Sequence, residues 1–466
     1  MNGVEFVVVA DSVNSIVFRK AWWTALCLLS LWGGILSLRA QDLAWPDAAD
    51  PIAGMGICYH FNNLKPGDLE MLSQAGFRWG RMDFSWDHTE QKPGVYDFST
   101  YDRSLAVMQS YHLRPLLILD YGNKLYDEGM SPHTDAGRAA YARWAVAAVT
   151  HFQGRGIIWE IWNEPNQHFW KPHPNAGDYA QLALTASRAI QQAAPGEILV
   201  GPSISGDDIA FIETSAKAGL LQYWSAISVH PYHRRAPETC SSFYAQLRAL
   251  IQKYGPPGKK IDIICSETGY STSWWGLDDE ARAEWLRPLT HLNDLSNIPV
   301  AGSDEVQGKC LARLYLFNVM SGLVLTLWYD FHDDGTNPTN EEHNFGIVRH
   351  DYHGGMREVY ERKPAYDAAQ TYANQLAGFR FRERLWTPIA NDFVLSFAKS
   401  GEECLVAWTA DWASHNVTIL VPNGTYEVTS FDGKKHSTIA VTEGTMTLRL
   451  DDGPQYLKRK DSLPNP

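Results

Sequence analysis

Two glutamates stand where apolar segments end, and this placement suits chemistry that needs paired carboxylates. Residues 159–165 run from a tryptophan-rich apolar stretch into Asn163-Glu164-Pro165. Residues 261–268 run in the same way into Glu267. A glutamate near the end of a strand is common, so either one alone would indicate little. Together they predict a general acid and a nucleophile that face each other across a site.

Cleavage of a glycosidic bond requires such a pair. Where the anomeric configuration is retained, the two carboxyl groups lie roughly 5–5.5 Å apart, so that one can attack the sugar directly. Glu164 would need apolar surroundings to stay protonated, which the neighbouring tryptophans supply, and Glu267 would need a cation or a hydrogen-bond donor to stay charged. Glu160 falls in the middle of its strand, so we expect a buried core carboxylate that is paired or protonated.

Short apolar runs alternate with amphipathic helical stretches from about residue 52 onwards. Predicted strands cover 54–61, 77–84, 114–120, 157–163, 198–202, 226–230, 261–267 and 324–329, and predicted helices include 67–75, 136–151, 178–193, 207–219, 240–254, 305–321 and 366–376. A doubly wound open sheet would give a similar alternation. Eight strands, with carboxylates at the ends of the fourth and seventh, favour an α/β fold of the (β/α)8 TIM barrel type.

The pattern changes after about residue 378. Short runs with partial alternation cover 393–398, 404–409, 417–421, 426–430, 439–441 and 446–450, and Gly-containing turn signals separate them. This pattern predicts a small C-terminal antiparallel β-sandwich. The predicted organisation is therefore a targeting segment at 1–40, a barrel at 41–378 and a β-sandwich at 379–466.

Composition and charge narrow the class of partner. The chain has 466 residues and a formal net charge of −13, which argues against nucleic acid and against an anionic membrane surface as partners. This charge fits a neutral substrate, unless the cleft is locally basic. The 18 Trp and 21 Tyr suit stacking on the apolar faces of sugars, although a large barrel core uses the same residues.

The N-terminus has the pattern of a targeting segment. Arg19 and Lys20 precede an apolar run over 21–38, and a small residue, Ala40, follows. This order predicts a signal peptide that is cleaved near Ala40, with no stable membrane insertion afterwards. The run is also just long enough for a transmembrane anchor, which is the alternative. The expected location is secreted, periplasmic or otherwise in the cell envelope.

No cofactor or metal is expected. Beside Cys27, the chain has five widely spaced cysteines, at 58, 240, 265, 310 and 404, without a C-x-x-C pair. One disulfide or five buried thiols fit this set equally. The loop over 332–343 is rich in Asp, Glu and His, where a metal site is conceivable, but its position after the eighth strand favours contact with substrate.

The motifs as a set resemble a known group of enzymes. The matching segments are 119–123 (Leu-Asp-Tyr-Gly-Asn), 159–166 with 169–170, 229–232 (Val-His-Pro-Tyr), 267–270 (Glu-Thr-Gly-Tyr), 328–330, 344–346 and 363–366. Over about residues 52–378 the chain resembles clan A glycoside hydrolases, and it is most similar to family 39 and related exopolysaccharide-cleaving endoglycosidases. Family 5 shares the same skeleton and remains an alternative label.

The resemblance implies a retaining O-glycoside hydrolase that acts on β-linked oligo- or polysaccharides. A non-catalytic glycan-binding barrel and a transglycosidase remain as alternatives, and a carbohydrate is the expected partner in each case. The implied roles are acid/base for Glu164, nucleophile for Glu267, contact with the sugar 2-hydroxyl for Asn163, ionisation of the nucleophile for Arg81, orientation of a carboxylate for Tyr232 or His230, the floor of subsite −1 for Trp328, and substrate platforms for Tyr121 and Trp170.

Overall fold

The computed structural model describes residues 45–59, 64–233, 235–273, 303–411 and 413–460. The predicted targeting segment 1–40 and the predicted end of the first strand at 60–61 lie outside the described residues. Within the described ranges, no helix combines the length and the apolar character needed to cross a membrane.

Eight parallel strands close into a barrel. In chain order, strands one to eight are Met55–Cys58, Trp79–Ser85, Arg114–Asp120, Ile158–Ile161, Ile198–Ser205, Ala226–His230, Asp262–Thr268 and Leu325–Trp328. Each strand pairs with its neighbours in the chain, and strand one closes the ring against strand eight. The predicted TIM barrel followed by antiparallel β-structure is therefore confirmed.

Helices surround the barrel and connect its strands. They are Asp68–Gln74, Trp86–Thr89, Ser99–Ser110, Asp135–His151, Ala176–Ala193, Ile209–Lys217, Ser241–Tyr254, Asp304–Met320 and Pro364–Leu376. Several start with a side chain that caps the first turn, as Thr134 does for Gly137 and Ser303 for Val306. Because helices cover the outside, the strands are buried on both faces, which is why they appear as nearly continuous apolar runs.

The C-terminal part is built from antiparallel strands. A six-stranded sheet has the spatial order Arg380–Arg384, Asp392–Lys399, Glu402–Thr409, Gln455–Arg459, Gly424–Ser430 and His436–Val441, and a two-stranded sheet pairs His415–Leu420 with Thr445–Leu450. Side chains from both sheets, among them Leu405, Val417 and Leu448, form a separate hydrophobic core. The limits of the predicted domains themselves stay predictions.

A buried ion pair joins the barrel to the C-terminal sheet. Arg313 donates two hydrogen bonds to the carboxylate of Glu238, at 2.8 and 2.6 Å. From the sheet, Trp408 Nε1 donates to the same carboxylate at 2.7 Å. Glu238 lies shortly after strand six, so the sheet contacts a segment that follows directly from the mouth of the barrel.

The cysteines of the described residues are all free and buried, namely Cys58, Cys240, Cys265, Cys310 and Cys404. Of the two arrangements that the sequence left open, the structure therefore has five buried thiols. Burial raises the pKa of Cys310 and Cys404 to about 12, so these thiols stay protonated and unreactive.

Candidate functional site

The predicted site residues converge at the carboxyl ends of the barrel strands. Arg81 lies on strand two, Asn163 and Glu164 directly follow strand four, His230 ends strand six and Glu267 lies near the end of strand seven. Since all eight strands are parallel, these ends meet at one mouth of the barrel, where TIM-barrel enzymes carry their catalytic groups.

Arg81 is the centre of the cluster. The guanidinium is 3% exposed, and it donates to Glu160 Oε2 and to Asn163 Oδ1, each at 2.8 Å, and also to Glu267 Oε2. Burial alone would lower the pKa of Arg81, but Glu160 and Glu267 raise it well above its usual range. One permanent positive charge is therefore shared by two carboxylates.

Glu160 has the structural role expected from its position in mid-strand. Its carboxylate is fully buried, and burial works to raise its pKa. The charge of Arg81 outweighs that effect and lowers the pKa of Glu160 below its ordinary value. Glu160 is therefore ionised and paired, and it anchors the guanidinium that reaches Glu267.

Both oxygens of Glu267 accept hydrogen bonds. Oε2 accepts from Arg81, and Oε1 accepts from the hydroxyl of Tyr232 at 2.8 Å. Burial and the charge of Glu267 raise the pKa of Tyr232 well above its usual range, so this hydroxyl keeps its proton and donates. The two donors hold the carboxylate of Glu267 in one orientation from both sides.

Glu164 contacts a fully buried histidine. His230 Nδ1 lies 2.9 Å from Glu164 Oε1, and His230 Nε2 lies 3.2 Å from Arg81 Nη2 and 3.1 Å from Ser266 Oγ. Because a guanidinium nitrogen can only donate, we assign Nε2 as the acceptor and Nδ1 as the protonated nitrogen. His230 then donates to Glu164 and fixes the direction of its carboxyl group.

Asn163 is oriented by partners on both sides of its amide. Its Oδ1 accepts from Arg81, and its Nδ2 donates to the hydroxyl of Tyr121 at 2.8 Å. The second hydrogen on Nδ2 is then left for a ligand. The ring of Tyr121 is half-buried and stacks on Phe169, while its hydroxyl accepts from Asn163. Its role as a substrate platform stays a prediction.

The two carboxylates are close enough for direct attack on a sugar between them. One oxygen of Glu164, one of Glu267 and a ring nitrogen of His230 all lie within 4.8 Å of one another. Inverting glycosidases need roughly 6.5–9.5 Å between the carboxyl groups to leave room for a water molecule, whereas retaining enzymes use roughly 5–5.5 Å. A limit of 4.8 Å between the closest oxygens lies below the inverting range and is compatible with the shorter class.

Known proteins share this architecture. No family model matches the chain. A curated relative, the beta-xylosidase of Geobacillus stearothermophilus, is 27% identical over 227 residues, which are 39% of this chain and 43% of the relative. The match thus spans less than half of that relative's length.

Solved structures match over most of the chain. A family 39 glycoside hydrolase from Bacteroides cellulosilyticus WH2 is 24% identical with a TM-score of 0.72, over 89% of this chain and 82% of that one. The chain has the fold of family 39 and family 30 glycoside hydrolases. A family 39 beta-xylosidase from Caulobacter crescentus (16% identity, TM-score 0.61, 90% and 98% covered) and a family 30 endoxylanase from Clostridium papyrosolvens (13%, 0.57, 90% and 98%) align as well. The resemblance to family 39 and clan A is confirmed at this level.

Two predicted substrate contacts of this glycosidase fold are buried. Trp328 is 0% exposed, lies against Tyr270, and donates from Nε1 to the carbonyl of Phe345 at 3.4 Å. Trp170 is 2% exposed and packs between Trp162 and Tyr179. Neither ring presents an open face in this structure, so their roles as sugar floor and platform stay predictions.

A strained turn holds Glu164. Its backbone has φ 44°, and Trp162 two residues earlier has φ 70°, a region that costs a non-glycine residue about 1–3 kcal/mol. Strand five holds the turn: Glu164 N donates to the carbonyl of Ser203 at 3.1 Å, and Ser203 Oγ donates to the carbonyl of Trp162 at 2.7 Å. Ser203 and Ser266 were not predicted, because serines in buried strands carry no signal in the sequence.

The group formed by Glu164, His230 and Glu267 has donor atoms spaced for a cation. Arg81 already supplies a positive charge to Glu267, and the proton assigned to His230 Nδ1 removes that lone pair from ligation. Among the described residues, the loop 332–343 forms no such group. The expectation that the site works without a metal stays a prediction.

Proposed function

We propose that the chain is a retaining glycoside hydrolase that cleaves β-linked oligo- or polysaccharides by double displacement. The observation that carries this proposal is the short separation of Glu164 and Glu267, combined with their different environments. Arg81 and Tyr232 donate to Glu267, whereas Glu164 contacts a histidine. The carboxyl group with a cationic donor is assigned as the nucleophile, and the one beside the histidine is assigned as the acid.

In the first step, Glu164 donates its proton to the glycosidic oxygen while Glu267 attacks the anomeric carbon. The bond from that carbon to the leaving oxygen breaks, and a glycosyl ester on Glu267 forms. Arg81 balances the charge of the nucleophile before attack and is then shared with Glu160 alone. Asn163 is held so that one N–H points away from its protein partners, ready for the sugar 2-hydroxyl, where hydrogen bonds strengthen in the transition state.

In the second step, Glu164 acts as the base. It removes a proton from a water molecule, which attacks the anomeric carbon and releases Glu267. His230 supports both states, because a donor on one oxygen of Glu164 leaves the other oxygen for the substrate or the water. Two inversions at the same carbon give net retention.

The substrate class and the setting are part of the same proposal. Aryl β-xylosides are the first substrates to test, because the curated relative is called a beta-xylosidase. The partner is a carbohydrate. The two basic residues, the apolar run and the small residue over 19–40 support export from the cytoplasm. The fold itself serves many chemistries, so the assignment rests on the site.

The test compares the wild type, Glu164→Ala and Glu267→Ala on a panel of aryl β-glycosides, with and without azide. Glu267→Ala should lose hydrolysis, and azide should give a glycosyl azide of inverted configuration. Glu164→Ala should still react with a dinitrophenyl glycoside, whose leaving group needs no acid, and azide should give a product of retained configuration.

Other outcomes identify the alternatives. A wild type that binds a glycan, cleaves no member of the panel and binds equally well after either substitution is a binding barrel. Transfer to an acceptor sugar in preference to water identifies a transglycosidase, which uses the same two residues.

A further inference from the structure

A second pair of carboxylates lies at the mouth of the barrel beside the proposed catalytic pair. Asp83 is on strand two, two residues beyond Arg81, so both side chains point to the same face. Asp120 ends strand three and directly precedes Tyr121, whose hydroxyl holds Asn163. The mechanism proposed above uses neither of them.

The two aspartates differ in exposure. Asp83 is exposed, although its neighbours Met82 and Phe84 are buried. Asp120 is 0% exposed, and neither of its oxygens has a hydrogen-bond donor among the described residues. Its polar neighbour is the carboxylate of Asp83, which lies within hydrogen-bonding reach. A buried group that lacks donors and faces another carboxylate must carry the proton itself.

The direction of the titration agrees with this geometry. Burial, and then the charge and the hydrogen bond of Asp83, raise the pKa of Asp120 well above its usual range; Arg81 opposes this and Glu160 adds to it. A neutral Asp120 has one O–H, which can donate to Asp83. That hydrogen bond holds Asp83, and because Asp83 is exposed, its remaining lone pairs are left to accept hydrogen bonds from a ligand.

The rest of the mouth is also acidic. Glu342, on the segment that follows strand eight, is exposed as a whole residue, but partial desolvation of its carboxylate and then the charges of Glu267, Asp334 and Glu164 raise its pKa. Glu342 lies close enough to Glu267 and Glu164 to interact with both electrostatically. The cleft is therefore locally acidic, and a bound carboxylate would face several like charges.

We propose that Asp83 accepts a hydrogen bond from a ring hydroxyl of the sugar bound against Glu267, that Asp120 is the positioning residue which holds Asp83, and that the site selects neutral sugars and excludes uronic acids. This inference rests on the proposed glycosidase function and adds the class of sugar. Asp83 would thus be a specificity residue of the same site.

The first experiment compares the wild type and Asp83→Ala on the aryl β-glycoside that the wild type cleaves best and on its monodeoxy analogues. Loss of a charged acceptor should lower kcat/KM about 10- to 200-fold on the parent substrate. On the analogue that lacks the contacted hydroxyl, kcat/KM of the wild type and kcat/KM of Asp83→Ala should agree within about threefold. The exposed Glu70 lies on the helix Asp68–Gln74, and Glu70→Gln is the matched control for loss of a surface carboxylate.

The second experiment tests the proton on Asp120. Asp120→Ala should lower kcat/KM as Asp83→Ala does, whereas Asp120→Asn should restore most of the loss, because an amide N–H replaces the carboxylic O–H as donor to Asp83. An Asp120→Asn enzyme as impaired as Asp120→Ala would refute a protonated Asp120.

The ratio of kcat/KM on a neutral glycoside to kcat/KM on the corresponding uronide should change only if Asp83 contacts the sugar, and not if Asp83 is merely structural. The wild type should cleave the neutral glycoside at least about 100-fold better than the corresponding uronide, and Asp83→Ala should narrow that ratio. A wild type that cleaves neutral glycosides and uronides equally, or an Asp83→Ala enzyme with an unchanged ratio, overturns this inference while the glycosidase function stands. A wild type that cleaves no glycoside overturns both.

Discussion

Replacement of Arg81 by methionine should affect both activity and stability, and each magnitude follows from its contacts. The substitution removes the donors to Glu267 and Asn163. Each charge-assisted hydrogen bond contributes about 1.5–3 kcal/mol, so the loss of transition-state stabilisation is about 3–6 kcal/mol. At about 1.36 kcal/mol per factor of ten, kcat/KM on an aryl β-glycoside should fall about 10²- to 10⁴-fold.

The effect on stability comes from Glu160. Removal of one partner of a buried ion pair costs about 3–5 kcal/mol, because the other charge stays buried without compensation. For a folded unit of this size, we expect a fall of about 3–10 °C in the melting temperature at pH 7. Scanning calorimetry of the wild type and Arg81→Met measures it.

The stability difference between the wild type and Arg81→Met should depend on pH, because the substitution reverses the shift in the pKa of Glu160. In the wild type the folded pKa of Glu160 is lowered, so its contribution is present above the unfolded pKa of about 4.3 and is lost as the pH falls through the folded pKa. In the variant, burial without Arg81 raises the folded pKa of Glu160, so stability is lost as the pH rises through the unfolded value. The gap between the two melting temperatures should therefore widen from pH 4 to pH 7.

Arg313→Met is the matched control, because Arg313 forms the other buried pair, with Glu238. It should show a comparable loss of stability while kcat stays within about threefold at temperatures where the variant is folded. An Arg81→Met enzyme whose gap to the wild type does not change with pH, or one that stays fully active, would refute the reasoning.

Three further substitutions test separate contacts. Tyr232→Phe removes one donor to Glu267 and should lower kcat about 10- to 100-fold with little change in melting temperature, as steady-state kinetics and calorimetry would show; an unchanged kcat would contradict the role of this hydroxyl. Asn163→Ala should lower kcat/KM strongly on a normal substrate and much less on its 2-deoxy analogue. Equal losses on both substrates would refute the contact between Asn163 and the 2-hydroxyl. Trp408→Phe removes a buried donor to Glu238 and should cost about 1–3 kcal/mol of stability without changing KM. A change in KM with no loss of stability would contradict a purely structural role for this contact.

The barrel strands were predictable because burial on both faces leaves nearly continuous apolar runs. Strand three was predicted at 114–120 and is Arg114–Asp120. The site was predictable for a related reason: Glu164 and Glu267 are carboxylates at the ends of such runs, and the parallel topology brings those ends together.

Elements without such runs were not predicted. The strand Gln455–Arg459 lies between two others in the C-terminal sheet, but only Tyr456 and Leu457 in it are strongly apolar, and basic residues follow. The strand Arg380–Arg384 pairs on only one side and is mostly exposed, so it has almost no apolar residues. The helix Ser99–Ser110 buries only three side chains and was likewise not named.

Contacts between distant segments also lie beyond the sequence. The resemblance implied that Tyr232 or His230 orients one of the carboxylates, but it did not assign His230 to Glu164 or Tyr232 to Glu267. The pairing of Asp83 on strand two with Asp120 on strand three was not predicted at all. Only the closed barrel brings these residues together. Trp328 and Trp170 were predicted as substrate contacts from their positions in motifs. Their burial could not be predicted, because it depends on packing against Tyr270 and Tyr179, respectively.

The central claim is that Glu267 forms a covalent bond to the sugar. Incubation with a dinitrophenyl 2-deoxy-2-fluoro-β-glycoside of the preferred sugar slows the second step more than the first, so the intermediate accumulates. Peptide mass spectrometry should then find one fluoroglycosyl group on the peptide that contains Glu267, and no label in Glu267→Ala. A label on another residue, or rapid turnover of the unmodified substrate with inverted products and no label, would contradict the account.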